Sequence, residues 1–196
     1  LEQINKEKGF LLNMEDLVVL YSGGADSTLL LNLAKKIKKT PLALMVSYGQ
    51  LHIKELEFAK NYCLKNNIES KTIDILGYDV NSALTGSGEK GIYKGVDIHN
   101  VPARNTIFLS LAYGIAESRG ISEIWYGANW EDYDHLFPDC GMEYIGRMNK
   151  VLDIAAVKPI KIYAPLLGME KYMIKELIKS EGINEADIYS GYGDFK

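Results

Sequence analysis

Seven residues, Ser22-Gly23-Gly24-Ala25-Asp26-Ser27-Thr28, gather two glycines, three hydroxyls and one carboxylate directly after the apolar run Leu17–Tyr21. That run reads as a buried strand. Ser27–Lys39 then continues as a helix, with Leu29, Leu30, Leu33, Ala34 and Ile37 on one face. A helix N-terminus carries unpaired N–H groups and a partial positive charge. Glycines let the backbone approach an anion closely, and the Ser22 and Ser27 hydroxyls add donors. Asp26 would repel a phosphate directly, so its natural partner is a magnesium ion lying between the two. The plainer alternative is a tight turn with a helix cap, for which one glycine and one cap would suffice. The Walker pattern Gly-x4-Gly-Lys-[Ser/Thr] is absent.

Three other segments carry chemistry. In "SYGQLHIKELEFAK", Gln50 and His52 are candidates to contact a nucleotide or a second substrate, while Glu55 and Glu57 read as solvated helix charges. In "VPARNTIFLSLAYGIAE", Arg104 is one of only three arginines and stands at a helix start. A guanidinium there can pair in fork geometry with a phosphate or carboxylate. Asn105 adds a donor and an acceptor, and Ile107, Phe108, Leu111 and Ala112 read as core. In "YGANWEDYDHLFPDC", Asn129, Asp132, Tyr133 and Asp139 offer an aromatic face and acceptors for a flat heterocycle with a guanine-like N–H edge. The run Gly86-Ser87-Gly88-Glu89-Lys90-Gly91 spells G-x-G-x-x-G but lacks a strand before it and a helix after it. It reads as a loop, with a lid as its functional option.

These segments need a scaffold. Strand-like runs at Leu17–Tyr21, Pro41–Ser47, Lys71–Leu76, Glu123–Tyr126 and Lys161–Ala164 alternate with helix-like runs at Ser27–Lys39, Ile53–Asn66, Arg104–Arg119, Glu143–Asp153 and Glu170–Glu181. Ala128–Cys140 reads as a long loop. The alternation predicts an α/β fold with a doubly wound parallel sheet, Rossmann-like, and a short helical C-terminal part. Ligands in that class sit beyond the carboxyl ends of the strands, where these segments fall. The 196 residues suit one domain, and the net charge of −4 argues against a nucleic-acid footprint. No apolar run reaches the length of a membrane span, and the polar N-terminus lacks a signal-peptide core. Two cysteines, Cys63 and Cys140, make no disulfide framework, so a reducing cytoplasm is expected. Cys63, at helical spacing from Leu56 and Ala59, reads as core.

"SGGADST" matches the SGGxDS loop of the ATP pyrophosphatase group, and the fold expected is of that type. With "SYGQLHIKEL", "NSALT", "VPARNTIFLS", "GANWEDYDHLFPDC" and "PLLGMEK", the chain resembles the 7-cyano-7-deazaguanine synthase family from about Val18 to Ser190. The resemblance implies that ATP adenylates the carboxylate of 7-carboxy-7-deazaguanine and ammonia displaces AMP to give an amide. A second activation then gives the nitrile. It implies ATP and Mg2+ as cofactors, with Asp26, Arg104 and Lys171 catalytic. Ser22, Gly23, Gly24, Asp26, Ser27 and Gln50 would bind the nucleotide. His52, Asn105, Asn129, Asp132, Tyr133 and Asp139 would bind the substrate. Asp26 would hold the magnesium. Residues 1–13 read as an N-terminal extension and 14–196 as a single catalytic domain. The family suggests a homodimer; no nucleic acid or membrane partner is expected.

The chain departs from the family in three places. The family's four-cysteine zinc site begins in a Ser-Cys-Tyr segment where this chain has Gly191, so zinc is not expected. Gly141-Met142 follows the Asp-Cys pair where Arg-Pro is usual, and the acidic loop is one residue longer before Phe137-Pro138. The last two differences touch substrate handling and keep open an enzyme that stops at the amide. A tRNA-modifying enzyme with the same loop, and a nucleotide sensor without turnover, are the readings from other classes.

Overall fold

A computed structural model describes residues 16–37, 39–49, 54–76, 101–134 and 137–189, with only the backbone of Tyr133 and Asp134. Gln50, His52, the Ser-Ala-Leu-Thr segment, the G-x-G-x-x-G run and Gly191 lie outside the described residues.

Five parallel strands form one sheet: β1 (Leu17–Leu20), β2 (Pro41–Ser47), β3 (Glu69–Asp74), β4 (Glu123–Trp125) and β5 (Lys161–Tyr163), in the order β3-β2-β1-β4-β5. The helices are α1 (Ala25–Lys36), α2 (Lys54–Lys65), α3 (Arg104–Arg119), α4 (Trp130–Asp134), α5 (Met142–Ala155) and α6 (Lys171–Ser180). Single 3-10 turns occur at Pro138–Cys140 and Glu185–Asp187.

The period of two along each strand sorts side chains into two cores. Leu17, Val19 and Tyr21 pack with Ala43 and Met45 under α1, α2 and α6, whose buried contributions include Leu30, Leu31, Cys63, Ile174 and Ile178. Val18, Leu42, Leu44 and Ile124 pack on the opposite face with Leu109, Ala112 and Ala116 of α3 and Leu152 of α5. The expected doubly wound α/β architecture is therefore present. β1 lies at its centre, flanked by β2 and β4, and the order reverses there. Such a reversal leaves a crevice beyond the carboxyl ends of the central strands.

Several details differ from the sequence reading. α1 begins at Ala25, two residues earlier than expected, because Gly24 is its N-cap. Ile37 ends it 58% exposed, while the fully buried Leu31 faces the core instead. β3 begins at Glu69 and ends at Asp74; it is a mostly exposed edge strand, and Leu76, expected to close it, is 91% exposed. In α3 Leu109, Ala112 and Ala116 are buried, whereas Ile107, Phe108 and Leu111 are half-buried. The expected Ala128–Cys140 loop contains α4 and a 3-10 turn. Cys63 is buried in the core as expected. Among the described residues no helix is long and apolar enough to cross a membrane.

Candidate active site

The crevice at the reversal is a cleft of about 340 Å3 lined by the loop after β1, the starts of α2 and α3, the segment after β4, and α6. Its floor at Leu20, Leu44 and Val46 is the sheet edge itself, which explains why residues distant in sequence meet there.

The loop after β1 is held by its own hydroxyls. The Ser22 N–H donates to Ser27 Oγ at 3.3 Å, the Gly24 N–H donates to Ser22 Oγ at 3.2 Å, and Ser27 Oγ donates to the Gly24 carbonyl at 3.3 Å. The two hydroxyls lie 3.2 Å apart. Ser27 is buried and Ser22 exposed. Among the described residues no side chain caps α1, whose N-cap Gly24 is extended and whose first turn carries Asp26. The first-turn N–H groups thus face the cleft without a side-chain acceptor over them, a geometry suited to an anion.

The two glycines do different work. Gly23 has φ +90°, and a Cβ there would lie 2.9 Å from the Glu55 carbonyl oxygen and 3.2 Å from Ala59 Cβ. Its smallness lets α2 pack onto the loop. Gly24 is the one beside open space, since a Cβ there would meet only Ser22 Oγ at 3.4 Å. Gly127, after β4, was not singled out from the sequence. A Cβ at that position would lie 3.1 Å from Asp26 Cβ and 3.3 Å from the Ser27 nitrogen. The end of β4 and the start of α1 touch there, backbone to backbone.

Asn129 and Asp132 form a reciprocal cap on α4. The Asp132 N–H donates to Asn129 Oδ1 at 3.1 Å, and the Asn129 N–H donates to Asp132 Oδ2 at 3.2 Å. This is a capping box with Asn and Asp in its two places. Asn129 is completely buried, and its Nδ2 donates to Asp26 Oδ2 at 3.4 Å. Both ends of its amide have protein partners, Asp26 at Nδ2 and the Asp132 N–H at Oδ1. Asp132 lines the cleft while serving the cap, and burial raises its pKa against the Asn129 hydrogen bond and the charges of Lys171 and Arg104.

Arg104 reaches the cleft from the first residue of α3. The preceding Ala103 has φ +57°, a left-handed conformation uncommon for a residue with a Cβ. That sharp entry after Pro102 sets the direction of α3 and of the guanidinium. Burial opposes the Arg104 charge, but Tyr48, by charge and hydrogen bond, and then Asp139 and Cys140 outweigh it, so its pKa lies above the ordinary value. Asn105 donates to Cys140 Sγ at 3.4 Å, and Asp139 lines the cleft beside them. Burial, helped by Asp132 and Asp139, pushes the Cys140 thiol up to about 12. A thiol so raised is a poor nucleophile at neutral pH.

Lys171 opens α6, and its side chain lines the cleft. Its backbone N–H donates to Glu131 Oε1 at 2.9 Å, so α4 braces the start of α6. Tyr189 closes the opposite side: its N–H donates to the Gly23 carbonyl at 2.9 Å and its ring meets Phe58 edge-on at 5.7 Å. Glu55, expected to be solvated, also lines the cleft. Burial raises its carboxyl to about 7 despite the Arg104 charge. Cys63 and Cys140 are both free and lie in the cores on opposite faces of the sheet. Of the expected residues, Ser22, Gly24, Asp26, Ser27, Arg104, Asn105, Asp132, Asp139 and Lys171 line one cleft.

A parallel sheet that reverses at β1, with a helix N-terminus and an acid at the reversal, defines a doubly wound α/β protein with its cleft at the switch point. Solved structures agree on the fold: NMN synthetase from Francisella tularensis superposes with a TM-score of 0.57 at 24% identity, over 89% of this chain and 64% of that one. An NH3-dependent NAD synthetase from Campylobacter jejuni gives 0.56 at 21% identity, over 95% and 76%. The model of the family described as "Queuosine biosynthesis protein QueC" matches residues 16–195, and the chain belongs to that family. It is 40% identical over 169 residues to 7-cyano-7-deazaguanine synthase 1 of Colwellia psychrerythraea, covering 82% of this chain and 76% of the relative. With 7-cyano-7-deazaguanine synthase of a Marinomonas species it shares 37% over 185 residues, 91% of this chain and 84% of the relative.

Proposed function

We propose that this chain is an ATP-dependent ligase that converts 7-carboxy-7-deazaguanine, by way of the amide, to 7-cyano-7-deazaguanine. The observation that carries the reading is the meeting of the uncapped α1 N-terminus, Asp26 and the Arg104 guanidinium in one cleft. The names of relatives at 36–40% identity, 7-cyano-7-deazaguanine synthases, support the product.

The chemistry fits the residues. A carboxylate at neutral pH is a poor acyl donor until its oxygen becomes a leaving group. In this reading the α1 N-terminus and the Ser22–Ser27 loop hold the β,γ-phosphates of ATP. The carboxylate oxygen attacks the α-phosphorus, pyrophosphate leaves, and ammonia then displaces AMP. Asp26, kept in place by Asn129, fits a magnesium ion shared with the phosphates, since one carboxylate plus phosphate oxygens is a common set for that ion. That ion would neutralise phosphate charge. Arg104 and Lys171 place positive charge where the leaving group develops negative charge. Asn105, Asp132 and Asp139 surround the heterocycle, with Gln50 and His52 completing the two sites. No covalent nucleophile is needed.

A second product, the amide, is favoured by one observation. Gly141, which stands where the family's usual Arg would bring a cation, directly follows buried Cys140 and is the N-cap of α5. The reading also takes residues 14–196 as one catalytic domain, a homodimer in the cytoplasm, with no nucleic-acid substrate. Incubation with ATP, ammonia and the acid, followed by mass spectrometry, tests it: the nitrile mass with AMP from both activations is expected, the amide alone selects the second product, and unchanged acid refutes the proposal.

A further inference from the structure

Glu55 has no place in the scheme above, yet it is built into the cleft. Its own carbonyl oxygen sits against Gly23, so the first turn of α2 rests on the phosphate loop. Glu55 lines the cleft together with Arg104 of α3, Lys171 and Lys175 of α6, Asp26 of α1 and Tyr189. Arg104 is the cation that acts on it, and Tyr189 feels its charge in turn. Among the described residues no donor side chain hydrogen-bonds the Glu55 carboxylate.

Resting on the functional reading above, we propose that Glu55 is the catalytic residue that accepts the proton released when ammonia attacks the activated acyl group. The nitrogen lone pair forms the new C–N bond, and the nitrogen becomes positively charged. Glu55 takes one proton from it. The C–O bond to AMP then breaks, its electron pair leaving on the phosphate oxygen, and the amide is formed. The proton passes from Glu55 to solvent before the next turnover.

The other groups in the cleft are poorly suited to this task. Arg104 and Lys171 are cations. Asp26 is given to magnesium and held by Asn129. Asp132 accepts the Asn129 N–H in the cap. Cys140 keeps its proton at neutral pH. Among the described residues Glu55 alone combines a wall position in the cleft with a proton affinity near neutrality, where a general base works best.

The test separates the two half-reactions in wild type, Glu55→Gln, Glu55→Asp and His52→Gln. In a single turnover with enzyme in excess, pyrophosphate release reports activation and mass spectrometry reports amination, with hydroxylamine replacing ammonia so that the nucleophile's own protonation weighs less on the pH profile. Glu55→Gln is expected to release pyrophosphate at close to the wild-type rate but to aminate about 100-fold more slowly. It should also lose the fall in amination rate on the acid side, and Glu55→Asp should recover part of the rate. Wild-type amination by Glu55→Gln would overturn the proposal. So would an equal loss of pyrophosphate release, which would make Glu55 a structural partner of Arg104, or an acid limb that persists in Glu55→Gln and vanishes in His52→Gln. A wild type that releases no pyrophosphate with the acid would instead remove the functional reading and this one with it.

Discussion

Asn129 Nδ2 lies 3.4 Å from Asp26 Oδ2, joining two side chains 103 residues apart in sequence. Through this contact the α4 cap and the α1 N-terminus become one unit. Asn129 both starts a helix and contacts the acid of the loop after β1. The two jobs can be separated. Serine also caps helices well but is too short to reach Asp26. Asn129→Ser is expected to retain most of the stability and lose about 10-fold or more in pyrophosphate release. Asn129→Ala should lose about 1–2 kcal/mol as well. Thermal melts with a pyrophosphate assay check both, and full activity in Asn129→Ser would refute the positioning role.

The glycines give a graded pair. Gly127→Ala presses its methyl on Asp26 Cβ at 3.1 Å, where small shifts relieve it, so a cost of about 1–2 kcal/mol and a clear activity loss are expected. Gly23→Ala meets a backbone carbonyl at 2.9 Å from φ +90°, so it should cost more, about 2–4 kcal/mol. Denaturant melts of the two variants set the order, and a harmless Gly23→Ala would contradict the packing described.

Glu55 makes a stability prediction with a definite sign. Its folded pKa is about 7, above the ordinary carboxylate value, so the folded state binds more protons than the unfolded state between those values. Its contribution is most favourable at acid pH and is lost as pH rises toward and through 7. Glu55→Gln should therefore be more stable than wild type at pH 8, by about 1–3 kcal/mol, with the difference shrinking toward pH 5. Urea melts at the two pH values check this; equal stability at pH 8 would mean the carboxylate is not desolvated.

The buried Cys140 thiol, raised to about 12, should react slowly with iodoacetamide at pH 8 in the native protein and rapidly in urea. Mass spectrometry of timed samples reports the ratio, expected to exceed about 100-fold, since each pKa unit cuts the thiolate tenfold. Rapid native alkylation would contradict the burial and charge environment at Asp132 and Asp139.

Much of this architecture is legible in the sequence because β1, β2 and β4 are short apolar runs separated by apolar helical periods. The reading slips where that signal thins. β3 is an edge strand rich in exposed polar residues, so the nearby Ile75 and Leu76 drew it two residues too late. α4, at five residues, is too short for periodicity to reveal. Its Asn-x-x-Asp cap was nevertheless a readable signal. Glu55 looked solvated because helical spacing does not show what covers a face; that depends on how Gly23 lets α2 descend onto the loop. Gly127 carried no local signal, since the atoms it accommodates belong to α1. The motifs pointed to residues that line one cleft, but which of them hold one another, as Asn129 and Asp26 do, required their distances.

The central claim is that Asp26 and the loop around it direct attack of a substrate carboxylate on the α-phosphorus. Substrate acid labelled with 18O in its carboxyl group tests this directly. Turnover with ATP and ammonia should place the label in AMP, and Asp26→Ala should abolish AMP formation while leaving the melting curve essentially unchanged. Label found in inorganic phosphate, unlabelled AMP, or full turnover by Asp26→Ala would contradict the account.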